Sequence, residues 1–355
     1  MKVLSDIDVS GKRVFVRADL DVNVANPKSE IRNPKLNPQA TRLTNLKPTV
    51  DYLLEHGASQ IIIAGHIDRP EKPDPELSTK QLLEPLEKIL GQKISFKDVI
   101  LGSEATPESD SGQARMTGES KVVLFENLRF WEGEVVNDLE FARSLAALAD
   151  VYVNEAFGNC HRNHASMVAL PSLLPHAAGF HLQREIEELS SRVLNNPQRP
   201  FIAIVGGAKV ETKVPVIENL SKIADYVLIG GVLPLEIAQK ELKFADNVVI
   251  AGHAVDGKDI TSESQDQFAR IIKSAKTVVW NGPVGRFEEG FEAGTLSVAQ
   301  AIIESDAYSV VGGGETTQFL ALHNLLSKFS FVSSGGGAML EFLAGRKLPA
   351  LIALE

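Results

Sequence analysis

The stretch Phe201–Lys213, FIAIVGGAKVETK, joins a short apolar run to two glycines and a lysine-bearing segment. A Val/Ile-rich run of this length, bounded by glycine, reads as a strand buried on both faces. Glycine just past it lets backbone N–H groups approach an anion closely, and the N-terminus of a following helix adds partial positive charge. Lys209 and Lys213 are four apart, so a helix starting there would place both on one face near its first turn. Solvated surface lysines are the ordinary alternative.

The same pattern recurs along the chain. Apolar runs at Arg13–Arg17, Gln60–Ala64, Lys121–Phe125, Asp150–Val153, Tyr226–Ile229, Thr277–Trp280, Tyr308–Val311 and Phe329–Val332 alternate with helical patterns. Those patterns include Leu43–His56, Thr79–Leu90, Leu139–Ala149 and Gln265–Ala275. Alternation of this kind predicts parallel α/β sheets with both faces covered. The break between halves is expected at Gly179–Arg199, where a charged helix, HLQREIEELSSRVL, is stopped by Asn195-Asn196-Pro197. The expected division is a first domain over 1–178, an interdomain helix over 179–199 and a second domain over 200–344. The tail, about 345–355, is expected to pack back on the first domain.

A net charge of −10 argues against broad nucleic-acid binding, though it says little about one local site. The single cysteine, Cys160, excludes a disulfide framework and points to a reducing compartment. The N-terminus shows no apolar core of signal-peptide length, and no apolar run reaches the ~20 residues that span a bilayer. A soluble cytoplasmic protein is therefore expected.

The residues just past each strand differ between the halves. In open α/β sheets, ligands sit at the carboxyl ends of strands. In the first half those ends carry Arg17 and Asp19, His66 and Arg69 in AGHIDRP, Arg129 in FENLRF, and His161-Arg162 in GNCHRNHAS. Arginines grouped this way suit a small, multiply charged anion, which guanidinium binds bidentately. In the second half the ends are glycine-rich: IVGGAK, LIGGV, VWNGPVG, VVGGGETT and VSSGGGA. Five such loops favour a nucleotide or phosphate cradle. None has the form of a P-loop or a dinucleotide fingerprint.

The acids of VFVRADLDVN, Val14–Asn23, admit three readings. Asp19 could be an aspartyl-phosphate nucleophile, Asp19, Asp21 and Asn23 could open a calcium loop, or one Asp could accept a substrate hydrogen bond. Cys160-His161 is a poor thiolate pair, and His161 with His164 lacks further metal ligands at a suitable spacing.

Taken in order, the motifs resemble those of the phosphoglycerate kinases. GKRVFVRADLDV, TRL at Thr41–Leu43, GHIDRP, ENLRF, FGNCHRNHAS, GGAKVETK, WNGPVGRFE, VGGGETT and VSSGGGAMLE span nearly the whole chain. The resemblance implies two Rossmann-like parallel α/β sandwich domains joined by a helix, with a cleft closed by domain motion. It implies reversible phosphoryl transfer between 1,3-bisphosphoglycerate with ADP and 3-phosphoglycerate with ATP, in a monomer working in glycolysis or gluconeogenesis. Phosphoglycerate would be bound by Asp19, Asp21, Arg42, His66, Arg69, Arg129 and Arg162. The nucleotide would be bound by Gly207, Ala208, Lys209, Lys213, Gly231, Asn281, Pro283, Gly285, Glu288, Gly312, Gly313, Gly314, Glu315 and Thr316. Magnesium would be held by Glu315, directly or through water. Arg42, Lys209, Gly314 and Gly336 would act on the phosphoryl group in transit. The alternative is a divergent member that binds its ligands with little turnover.

With the family in view, Asp19 reads as a substrate hydrogen-bond acceptor. No acidic set completes the aspartyl-phosphate reading, and Val24 stands where a calcium loop needs glycine. Several positions depart from the family's pattern. Asp21 replaces Asn and is expected to repel an anionic substrate. Asp68 replaces Gly, Thr212 and Glu315 each replace Asp, Ser334 replaces Thr, and the stretch from Val232 to Lys276 is short.

Overall fold

The computed structural model describes residues 1–22, 38–98, 120–253 and 257–355. Asn23 and Val24, on which the calcium-loop reading turns, lie outside them, as do 254–256 within the short stretch. The described residues fall into two compact units. One draws on the described residues of 1–34 and 39–183 together with Pro349–Glu355, the other on Pro38 and the described residues of 184–348.

In the first unit, β1 (Arg13–Arg17), β2 (Gln60–Ala64), β3 (Ile94–Lys97), β4 (Val122–Phe125), β5 (Val151–Asn154) and β6 (His176–Ala178) form one sheet. Its order is β3-β4-β2-β1-β5-β6, and every neighbour pair is parallel. In the second, β7 (Phe201–Val205), β8 (Tyr226–Ile229), β9 (Val248–Ile250), β10 (Thr277–Asn281), β11 (Tyr308–Gly312) and β12 (Phe331–Val332) form the other. Its order is β12-β11-β10-β7-β8-β9, again all parallel. Both faces of the central strands are covered. Val14, Phe15 and Val16 of β1, and Ile202, Ala203 and Ile204 of β7, are all buried. That burial explains their unbroken apolar sequence. The strand order reverses between β1 and β5 in one sheet and between β7 and β10 in the other. The carboxyl ends at these reversals are where an open α/β sheet leaves a crevice.

Some expectations are corrected. Leu43–His56 is not one helix but the end of Pro38–Asn45 followed by Lys47–Glu55. Pro48 causes the break, because it has no N–H to donate backward and suits a first helical turn. Thr79–Leu90 opens with a 3-10 turn, Thr79–Leu82, before the helix Leu83–Leu90. The charged helix begins at Phe180, with the buried Glu155 carboxylate accepting from the His181 and Leu182 N–H groups at 3.0 and 3.1 Å. After Glu187 it widens into a π-helical stretch, Glu188–Asn195, and stops before Pro197. Strands β3, β6 and β9 were not anticipated. Ala350 in the C-terminal Pro349–Glu355 donates its N–H to the Cys160 carbonyl within the first unit.

Candidate active site

At the first reversal, Arg17 ends β1 with no exposed surface, although it is charged. Its Nε donates to Ser166 Oγ at 2.8 Å and one terminal nitrogen donates to the Ala18 carbonyl at 2.5 Å. The other meets His66 Nδ1 at 2.8 Å. A guanidinium has no acceptor, so Nδ1 accepts and the His66 proton sits on Nε2. Burial, then the neighbouring Arg17 and Arg129, hold the His66 pKa well below its usual value, so the ring is neutral. Ser166 passes the contact on: its Oγ and N–H donate to the buried Glu134 carboxylate at 2.6 and 2.9 Å. Glu134 thus offsets the buried charge of Arg17 through one hydroxyl.

Asp19 is buried, and its carboxylate lies 3.7 Å from Arg42 Nε. Arg42 also donates to the Asp21 carbonyl and stands 3.9 Å from its carboxylate. Asp21 Oδ1 accepts the Asp68 N–H at 2.8 Å. Asp21 is expected to repel an anionic substrate, and its carboxylate already has an N–H and a guanidinium as partners. Asp68 adopts φ 51°, a left-handed conformation uncommon outside glycine. Its carbonyl accepts from Arg129 at 2.5 Å, and its side chain accepts the Arg69 N–H at 2.8 Å. Asn127, fully buried, donates to the Ile67 and Leu77 carbonyls at 2.8 and 2.9 Å and accepts the Arg129 N–H at 3.1 Å. Burial and then Arg17 lower the Arg129 pKa to about 10, which leaves it charged at neutral pH. Mainly through burial, the same crowding holds His164 at about 3 and His161 at about 4. Arg162 is half-buried and Arg69 exposed. Cys160 is fully buried, which removes it as a nucleophile.

At the second reversal, backbone replaces side chains. A Cβ on Gly206 would lie 2.3 Å from the Pro283 carbonyl oxygen and 2.5 Å from that of Gly282. Only glycine lets the turns after β7 and β10 close on each other. Gly282 N–H donates to the buried Thr316 hydroxyl at 2.9 Å. Asn281 ends β10, and its Oδ1 accepts from Lys213 Nζ at 3.4 Å. Two helix N-termini converge here: a Cβ on Gly336, at the start of Gly336–Leu343, would lie 3.4 Å from Gly313 Cα and 3.8 Å from the Gly314 N. Gly313 caps the helix Gly314–Leu322, which carries exposed Glu315 in its first turn. Ser334 N–H and Oγ both donate to buried Glu185, at 2.6 and 2.8 Å. Gly231, Pro283 and Gly285 lie in the turns after β8 and β10, and exposed Glu288 in the 3-10 turn Phe287–Glu289.

The lysines do not share a helical face as expected. Lys209 is the exposed N-cap residue at φ 66°, and the helix proper begins at Val210. Lys213, one turn in, is buried. Burial lowers its pKa to about 8, and the nearby Glu315 charge raises it in part. The amides ahead of the helix are not bare either. Glu236 from the next helix, Leu233–Gln239, accepts from Lys209 N–H at 3.2 Å and Val210 N–H at 2.5 Å. A carboxylate thus sits where an anionic ligand was expected.

The sequence pointed to the cations and the glycine turns but missed what holds them: Ser166, Glu134, Asn127 and Glu236. Arg17 gave one signal, a charge closing the buried run Val14–Val16. Among the described residues no three His, Cys, Asp or Glu side chains group to hold a metal ion, and no helix is long and apolar enough to cross a membrane.

A family model described as phosphoglycerate kinase matches residues 4–241 and 235–346. Phosphoglycerate kinases of Leptospira biflexa and Solibacter usitatus are each 36% identical over 400 aligned positions. These alignments cover 99% of this chain and 97% and 98% of the relatives. The chain has 355 residues, so the relatives carry stretches that it lacks. The solved phosphoglycerate kinase of Coxiella burnetii superposes with TM-score 0.79 at 31% identity, covering 99% of this chain and 98% of that one. That of Pyrococcus horikoshii gives 0.80 at 28%, covering 100% and 98%.

Proposed function

This chain belongs to the phosphoglycerate kinase family, and we propose that its two strand-end sites divide that family's reaction between them. The activity is phosphoryl transfer between 1,3-bisphosphoglycerate with ADP and 3-phosphoglycerate with ATP, a glycolytic step whose acceptor is a carboxyl group. The site in the first unit takes the phosphoglycerate. Arg129, Arg69 and Arg162 meet its charged ends, His66 donates from Nε2, and Asp19 accepts from the hydroxyl. The glycine-rich site takes the nucleotide, with its phosphates at the paired helix N-termini of Gly313–Gly314 and Gly335–Gly336 and beside Lys213. Pro283 and Gly231 flank the base, and Glu288 reaches the ribose. Arg42 and Lys209 stabilise the phosphoryl group in transit. No protein nucleophile is needed, because this chemistry depends on positioning and charge.

Magnesium arrives with the nucleotide. It favours one or two carboxylates together with phosphate oxygens and water, and the single carboxylate of Glu315 at a helix start fits that donor set. When bound, the ion draws charge from the transferring group. The proposal extends to a monomer in the cytoplasm, the first of which light scattering tests.

The observation that carries this division is the sorting of charges. One reversal gathers guanidinium groups around a neutral histidine, and the other gathers backbone amides around one buried lysine. The decisive experiment is a coupled assay of phosphoglycerate-dependent ATP consumption across a magnesium titration. ATP loss equal with and without phosphoglycerate would overturn the reading.

A further inference from the structure

The sequence reads Asp21 as one more substrate contact. We infer that it is instead a positioning residue: it holds the Gly65–Pro70 turn, and through that turn Arg129 and Arg69, in the shape that receives the phosphoglycerate. The inference rests on the substrate-site reading above.

The starting point is Asp68. Its φ of 51° is a left-handed conformation that aspartate visits more readily than most side chains but less readily than glycine, so a bond at this residue biases the turn toward it. Asp21 Oδ1 supplies that bond by accepting the Asp68 N–H at 2.8 Å across 47 residues of chain. The held residue then sets both arginines. Its carbonyl takes a guanidinium bond from Arg129 at 2.5 Å, and its own carboxylate takes the Arg69 N–H at 2.8 Å. Asp21 is fixed in turn, its carbonyl accepting from Arg42 and its N–H meeting Asp19 Oδ1 at 3.3 Å. One unbroken series of bonds therefore links Arg42, in the helix Pro38–Asn45, with Asp21, Asp68 and Arg129, which follow β1, β2 and β4.

The bland alternative is a surface hydrogen bond that nothing senses. The Asp21 side chain is 43% exposed, so that alternative must be met. It is met by the backbone at 68. An unstrained loop would survive the loss of one acceptor, whereas a left-handed aspartate relaxes toward negative φ and carries the Arg129 acceptor with it. Glycine at 68 would remove the dependence, because it adopts positive φ freely.

Steady-state kinetics on Asp21→Ala, Asp21→Asn, Asp68→Gly and the double variant Asp21→Ala/Asp68→Gly test this. Asp21→Ala should raise KM for 3-phosphoglycerate about tenfold, with kcat within about threefold and KM for ATP unchanged, as for a charged hydrogen bond lost from one site. Asp21→Asn should recover most of the loss, since an amide oxygen accepts the same N–H. Asp68→Gly in the alanine background should recover most of it too. A double variant as poor as Asp21→Ala overturns the inference, as does Asp21→Asn binding phosphoglycerate more tightly than the parent, which would restore simple repulsion. Arg129→Ala separates this idea from its premise. Unchanged phosphoglycerate KM there overturns the substrate-site reading itself. A raised KM there beside an unaffected Asp21→Ala overturns only the positioning role.

Discussion

The two strand-order reversals meet the same demand, holding a polyanion, with opposite materials. Around β1 and β5 the site is made of long side chains, each tied down by a hydrogen bond: Arg17 to the Ser166 hydroxyl, Arg42 to the Asp21 carbonyl, Arg129 to the Asp68 carbonyl. Around β7 and β10 it is made of backbone, with Gly206 packed against Gly282 and Pro283 and two helix starts brought together at glycines. The difference teaches where each site is fragile. The first can lose one bond and keep its fold, because its parts are side chains at the edge of an intact sheet. The second cannot accept even a methyl group at its tightest point, because its shape is the path of the chain itself.

The largest effects should come from the one cation in each region assigned to the transferring phosphoryl. Arg42→Ala and Lys209→Ala should each lower kcat by about a hundredfold or more, which corresponds to ~2.7 kcal/mol of transition-state stabilisation. Substrate KM values should move much less. Steady-state kinetics with both substrates varied would check this, and a variant whose only defect is a raised KM would break the symmetry claimed for the two regions.

A second test is a contrast inside the glycine region. Gly206→Ala should lose about 3 kcal/mol of stability, because its Cβ meets backbone oxygens that cannot move aside. Gly314→Ala should cost little, since nothing lies within 4 Å of that Cβ. Urea unfolding of the two variants would settle the matter. Equal midpoints would mean that the turns after β7 and β10 are looser than their packing indicates.

The sequence revealed the materials of both regions but not their joints. Central strands such as QIIIA and FIAIV were plain, because burial on both faces forces unbroken Val and Ile. The unanticipated strands, Ile94–Lys97, His176–Ala178 and Val248–Ile250, all lie at or beside a sheet edge and are short or half-exposed. An edge strand buries less and so carries a fainter apolar signature. The arginines and glycines were legible because they follow strands directly. Their partners were not, because Arg17 meets His66 across 49 residues and Asn127 meets Ile67 across 60. No local pattern encodes a bond of that span.

A third test uses pH to separate the regions. Lys213, buried and with its pKa lowered to about 8, should titrate below Arg129, which titrates at about 10. Between about 8 and the unperturbed 10.5 the unfolded chain binds more protons than the folded one, so stability should rise with pH across that window. The gain should reach up to about 3 kcal/mol. Nucleotide binding should go the other way. Phosphate prefers the charged lysine, so KM for ADP should climb above pH 8 by up to about tenfold per unit, while KM for phosphoglycerate stays level until about pH 9, below the Arg129 pKa of about 10. Lys213→Met should flatten the ADP profile. If the profile is flat in the parent protein, Lys213 does not face the phosphates.

The smallest effect concerns a place where the glycine region borrows a charge. The Glu236 carboxylate sits on the Lys209 and Val210 amides, at the start of the helix Val210–Leu220. There it satisfies donors that a helix start leaves open and complements the helix dipole. It also steadies Lys209 in its left-handed conformation. Glu236→Gln keeps one acceptor oxygen and removes the charge, so the ligand-free protein should lose only about 0.5 kcal/mol. The same carboxylate stands beside the amides expected to meet nucleotide phosphates, and like charges there oppose binding. The glutamine variant should therefore bind ADP a few times more tightly even as it melts slightly earlier without it. Melting curves with and without ADP read both signs in one experiment. An earlier melt in both conditions would mean that Glu236 acts only through the Lys209 backbone, and that the phosphates lie nearer to Gly313 and Gly336 than to this helix.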